Sequence, residues 1–204
     1  MKKGTKKTTT EIHGELFTHR LLWRCCTKQM EAARAREEDA SHFHLTAMLM
    51  AYFTYEAYLN FLGDCVAPKI WRNERNYFSK EPHRGTEGKL RKLAAICGFD
   101  VETGKRPHQT IVDLEQLRDF VAHGKPDKYD ATVRHHPGRE PRMFGYDTLS
   151  KRVTQEKAER AIADVEKFIE CLHERCRESV RDLRYGPKVL KGSLGYSSAG
   201  TLET

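Results

Sequence analysis

HFHLTAMLMAYFTYEAYLNFL, residues 42–62, is apolar on nearly every face of a helix. At about 100° per residue, Phe43, Leu45, Met48, Leu49, Met50, Tyr52, Phe53, Tyr55, Tyr58, Leu59 and Phe61 leave no broad polar stripe for water. Such a helix belongs at the centre of a bundle. Its polar ends and shortage of aliphatics argue against a membrane span. Ser41 is placed to cap its start, and Gly63-Asp64 to close it.

The neighbouring segments supply helices to surround it. Glu11 to Ala40 reads as helical, with Ala, Arg and Glu dominating its second half. Residues 64–85 form a long connection, with a short helical piece around Pro68 to Phe78. Thr86 is placed to cap a third helix that runs to Cys97 and stops at Gly98. A Gly/Pro loop leads to a fourth helix, His108 to His123. Pro126, Pro137, Gly138, Pro141 and Gly145 then predict an ordered loop or a small β-hairpin, its extended runs at Ala131 to Val133 and Arg142 to Phe144. A long amphipathic helix over Thr154 to Leu183 turns Val153, Ala161, Val165, Phe168, Ile169 and Leu172 inward. Residues 1–10 read as disordered and 186–204, rich in Gly and Ser, as a flexible tail. The expectation is an all-α bundle of four to five helices within one domain, residues 11–185.

Composition narrows the function classes. The 204 residues carry 36 Lys and Arg against 29 Asp and Glu, a formal net charge of +7, and the pI is about 9.1. That balance suits an acidic partner such as nucleic acid, though the two signs are interspersed as on any solvated surface. No run of about 18 apolar residues marks a transmembrane helix. The Lys/Thr-rich start has no apolar segment behind it, so no secretory signal is read and a cytoplasmic location is expected. Cys25, Cys26, Cys65, Cys97, Cys171 and Cys176 lack paired spacing and read as reduced thiols. Cys171, His173 and Cys176 with His42 and His44 make no local zinc pattern, so no metal or cofactor is expected. Nucleotide-binding, zincin and hydrolase-elbow motifs are absent.

RDFVAHGK, residues 118–125, ends the fourth helix. On a helical wheel with Ile111 at the origin, Leu114 falls at about 300°, Val121 at about 280° and Leu117 at about 240°. Arg118 falls at about 340°, inside that apolar stripe, between Leu114 and Ile111. Desolvating an unpaired arginine costs several kcal/mol, so an anionic partner is expected. Glu56, placed among Leu49, Phe53 and Leu59 of the central helix, is the candidate. Two readings of that pair are open: a tie that sets helix register, and a carboxylate that orients a working arginine. His123 is the side chain suited to move a proton at neutral pH, although a histidine in a last turn also complements the helix dipole. Lys125 and the cluster Arg134-His135-His136 are candidate RNA contacts, or simply solvated surface.

The run from Arg118 to His123, with a polar second residue and Gly124 following, resembles the HEPN superfamily motif, Arg, four to six residues, His. FTYEAYLNFLG (residues 53–63) is similar to the HEPN helix that holds an acidic residue. GKLRKLAAICG (88–98) and LEQLRDFVAHGKP (114–126) follow in matching order. The likeness spans residues 12–183, with two distinctive short blocks, and is nearest to the RiboL-PSP and abortive-infection-like HEPN proteins. It implies a dimeric helical bundle and a metal-independent endoribonuclease of toxin–antitoxin or phage-defence type, with RNA as substrate and a cognate antitoxin as a partner. Other such proteins keep the fold as a non-catalytic interaction or RNA-binding module. Carried over, Arg118 and His123 are catalytic, Asp119 fills the polar second position, and Glu56 is an accessory acid. The chemistry fits, because RNA supplies its own 2′-hydroxyl nucleophile. His123 would move the proton and Arg118 would hold the charged phosphorane. Residues five apart on a helix diverge by about 140°, so a composite site in a homodimer is expected.

Overall fold

The computed structural model describes residues 9–36, 38, 40–139, 147–179 and 189–202. Within them the chain runs β1 (Thr9–Leu16), α1 (Thr18–Ala35), α2 (Ala40–Val66), α3 (Pro68–Trp71), α4 (Glu74–Tyr77), α5 (Gly85–Cys97), α6 (His108–Ala122), α7 (Thr148–Arg152), α8 (Gln155–Ser179) and β2 (Gly195–Leu202). The architecture is mostly α-helical, as the apolar patterning requires.

α2 is the hub and packs against α1, α3, α5, α6 and α8. Ala47, Ala51, Tyr52, Tyr55, Tyr58, Leu59 and Leu62 recur around its circumference and are all buried. A helix with core side chains on every face has to be enclosed, since each fully buried large side chain contributes roughly 1.5–3 kcal/mol. α8 covers one side through Ala158, Ala161, Val165, Ile169, Leu172 and Cys176, spaced in steps of three and four. Val153 and these residues confirm the inward face read from the sequence, with Phe168 only partly buried against the core. Gly98, at φ 70°, terminates α5 and donates its N–H to the Ala94 carbonyl. No helix among the described residues is long and apolar enough to cross a membrane.

Several boundaries differ from expectation. The stretch 11–16 is strand rather than helix: β1 pairs antiparallel with β2, from Thr9 opposite Leu202 to Leu16 opposite Gly195. The Gly/Ser tail, expected to be flexible, supplies the other strand. Neither strand has a local signature because its partner lies at the other end of the chain. Gly14 is required there, since a Cβ would stand 2.7 Å from the Tyr196 carbonyl oxygen. An isolated two-stranded ribbon is marginal in water. Here its base is fastened: Phe17 N donates to Leu194 O at 2.7 Å, and Arg20 donates to the carbonyls of Val189 and Ser193, each at 2.8 Å.

α2 starts at Ala40, which places Ser41 inside the helix, and continues through Gly63 to Val66. Trp71 lies against Gly63, so the glycine serves close packing within the helix and does not stop it. The Pro68 to Phe78 piece resolves into two short helices, α3 and α4. Residues 124–136 hold no strand, and Arg142 to Phe144 fall outside the described residues, as do residues 1–8.

One buried group makes the fold sensitive to acid. His19 is 2% exposed, its ring centroid 4.8 Å from Phe61 and 5.5 Å from Tyr58. Burial, aided by the Arg20 charge, pushes its pKa down from 6.5 to about 4. The unfolded chain therefore binds this proton first. Stability is full above pH 6.5 and falls with acidification toward about pH 4, a total of about 3 kcal/mol at about 1.4 kcal/mol per unit. Denaturant unfolding across that range should show this slope in the wild type and a shallower one in His19→Phe. Equal slopes would remove His19 as the cause.

Candidate functional site

α6 turns Thr110, Ile111, Leu114 and Leu117 into the core. Arg118 follows on the line of that stripe, yet its side chain keeps 31% of its exposure. It therefore escapes the full desolvation that its position suggested. Its Nη1 lies 2.8 Å from Asp119 Oδ1, and its Nη2 lies 4.0 Å from Glu115 Oε1. Nη2 also makes a long, 3.4 Å hydrogen bond to the Tyr52 hydroxyl, and the guanidinium carbon sits 5.3 Å from the centroid of the Tyr52 ring. The Tyr52 hydrogen bond, with the nearby carboxylates of Asp119 and Glu56, favours the charged guanidinium against partial burial. The Nε donor is covered and unpartnered.

Tyr52 organises this network from the centre of α2. It is fully buried, and desolvation raises its pKa to about 12, so the phenol keeps its proton at neutral pH. Its oxygen lies 3.1 Å from Glu115 Oε1 and 3.2 Å from Thr86 Oγ1. The Thr86 hydroxyl donates to Glu56 Oε1 at 3.0 Å. One phenolic proton cannot serve both acceptors, and the charged Glu115 is the stronger. Arg118 thus donates to Tyr52, Tyr52 to Glu115, and Thr86 to Glu56. Tyr52→Phe deletes the shared node, and denaturant melts should show a loss of about 1 kcal/mol. An unchanged melt would mean that the hydroxyl holds nothing in place.

Glu56 does not meet Arg118 directly, because Thr86 of α5 takes its carboxylate. Both acid and arginine instead line one cleft of about 240 Å³, together with Glu74, Lys89 and Glu115. Lys89 bridges it, donating to the Glu74 carboxylate and, at 2.7 Å, to Asn60 Oδ1. The cleft mixes carboxylates and cations with neither sign dominant. Thr86, expected to cap α5, makes no such bond, since the N-cap is Arg84.

His123 occupies the C-cap of α6, and its backbone N–H donates to the Asp119 carbonyl at 3.0 Å. α6 ends there without Gly124 adopting a left-handed conformation. The imidazole is exposed and does not line the Arg118 cleft. One chain therefore presents the two motif residues on different sides of the helix. Asp119 is half in water beside Arg118. Lys125, Arg134, His135 and His136 are exposed on the irregular segment that follows. Among the described residues no three His, Cys, Asp or Glu side chains gather as a metal-binding group, and all six cysteines are free thiols.

The part that Tyr52, Thr86 and Glu115 play in this site escaped the sequence reading, which had Tyr52 as core and Thr86 as a cap. Glu115 alone had a signal, the helical spacing of three from Arg118. No protein-family model matches this chain, and neither a curated protein nor a solved structure is detectably similar to it.

Proposed function

We propose that this protein is a metal-independent endoribonuclease of HEPN type that acts as a cytoplasmic homodimer in a toxin or phage-defence system. The observation that carries the reading is the placement of Arg118 and His123. The arginine is held, charged and part exposed, in a cleft, and the imidazole stands in water at the end of the same helix. Both are within reach of a second molecule, and neither is consumed by the core.

In this reading His123 accepts the proton of the RNA 2′-hydroxyl or returns one to the leaving 5′-oxygen. Arg118 binds the phosphorane through its terminal nitrogens. The products are a 2′,3′-cyclic phosphate and a 5′-hydroxyl. Asp119 and Tyr52 hold the guanidinium, and Glu56 acts from across the cleft. Two copies related by a two-fold axis bring the arginine of one beside the histidine of the other. The antitoxin partner and the defence role follow from the resemblance to HEPN proteins. The test is RNA cleavage by purified protein in EDTA, compared with Arg118→Ala and His123→Ala.

A second reading has its own support. Arg118 already has Asp119, Glu115 and Tyr52 around it, as a structural tie in a non-catalytic interaction or RNA-binding module would. That reading expects intact RNA with wild-type protein and a stability loss in Arg118→Ala.

A further inference from the structure

A second cleft lies on the opposite side of α6. It has a volume of about 260 Å³, between α6 and the start of α8, with α7 closing one end. Met48, Leu114, Leu117 and Ala161 form an apolar floor, and Arg152, Lys157 and Arg160 stand around it. Asp113 is the one carboxylate among the lining residues, and it already accepts from Gln109 at 3.0 Å. The nearby Asp164 is buried and committed: Arg106 donates to it at 2.6 and 2.8 Å, and Thr110 at 2.5 Å. None of the three cations forms an ion pair with a described residue, and Lys157 donates only to the Lys151 carbonyl. Three cations against one lining carboxylate, with the buried Asp164 acting on Arg160, leave the cleft net positive over an apolar floor, a receptor for phosphate joined to something flat and less polar.

The position of this cleft links it to the motif. On α6, Asp113, Gln116 and Phe120 recur in steps of three and four along the face that borders the cleft. Phe120 carries the Arg152 guanidinium 5.0 Å above its ring. His123 is the next residue on that face, one turn beyond Phe120. On the helical wheel it falls at about 120°, with Gln116 at about 140° and Arg118 at about 340°. Arg118 lines the first cleft, and His123, the C-cap one turn beyond Phe120, stands on the side of α6 that the basic cleft occupies.

We propose that the α6–α7–α8 cleft is the RNA-backbone subsite beside His123. Arg152, Lys157 and Arg160 take phosphates next to the scissile one, and the apolar floor receives an unstacked base or ribose. The inference rests on the endoribonuclease reading for the role of His123, but it is tested by binding alone. A single strand fits this cleft better than a duplex, because the floor is reached only by a base that has left its stack.

The experiment measures the fluorescence anisotropy of a labelled short single-stranded RNA over a salt series, with His123→Ala protein so that no cleavage intervenes. Arg152→Ala with Arg160→Ala should raise Kd at least tenfold. The slope of log Kd against log salt should fall by about 1.4, at about 0.7 for each phosphate of a single strand that is no longer neutralised. Arg160→Glu, a change at an exposed position, should reproduce the loss without disturbing the fold. Arg24→Ala with Arg34→Ala on α1 removes the same charge from residues that do not line the cleft and should leave Kd unchanged. Equal weakening in that control, or no weakening in the cleft variants, overturns the subsite. Site-dependent binding by a wild-type protein that cleaves nothing would overturn the nuclease reading while keeping the subsite.

Discussion

Arg118→Ala and His123→Ala should each lower EDTA-resistant RNA cleavage by about 10²–10³-fold, the usual loss when one charge-stabilising donor or one proton-transfer group is removed. The two substitutions leave the core intact, because His123 is exposed and Arg118 borders solvent. Circular dichroism of the variants should therefore match the wild type. Arg118→Lys should recover little, since an ammonium cannot grip two phosphate oxygens as the planar guanidinium can. Mixing the two inactive variants gives the sharper result. In a two-fold dimer with composite sites, a mixed pair has one fully wild-type site and one doubly defective site. Random exchange should then restore about a quarter of wild-type activity. Sites built within one chain restore none. A protein that stays monomeric at assay concentration, or full cleavage by either single variant, removes the catalytic reading.

The second large effect lies in the packing of α2 against α3. Trp71→Ala should lower the unfolding free energy by about 3–5 kcal/mol, as expected for deleting a buried indole. Gly63→Ala tests the same packing from the other side. At an exposed helical site the change stabilises by about 1 kcal/mol. Here a Cβ would stand 1.8 Å from Trp71 Cε2 and 2.1 Å from Cδ2, inside the indole. The ring has to move, and overpacking of this kind typically costs about 1–3 kcal/mol, so the sign reverses. Combining the two substitutions should be less harmful than their sum, because without the indole the added methyl has space. Urea unfolding of the three variants gives the cycle. A stabilised Gly63→Ala would show that the helix and indole do not touch in solution.

The long helices were legible because each carries its own burial pattern. α2 is apolar on all sides, α8 repeats apolar residues in threes and fours, and Gly98 ends α5 through local backbone geometry. The motif helix was legible for the same reason, and so was the divergence of Arg118 from His123, which needs only the helical angle. Two partner assignments were not legible. Glu56 and Arg118 were the two charges stranded in apolar surroundings, and sequence logic paired them. The structure puts the Thr86 hydroxyl on Glu56 and gives Arg118 to Asp119, Glu115 and Tyr52. Both charges also remain partly open to water, so neither had to find the other.

By itself the sequence determined the helical class, the central place of residues 42–62, and the motif at the end of α6. Those properties follow from the spacing of apolar residues along a single helix, which is a local matter. Tertiary structure decided the rest. It paired Thr9–Leu16 with Gly195–Leu202, set Gly63 against Trp71, made Tyr52 the support of Arg118, and opened a basic cleft on the His123 side of α6. Each of these joins residues distant in the chain, and such a meeting leaves no period in either segment.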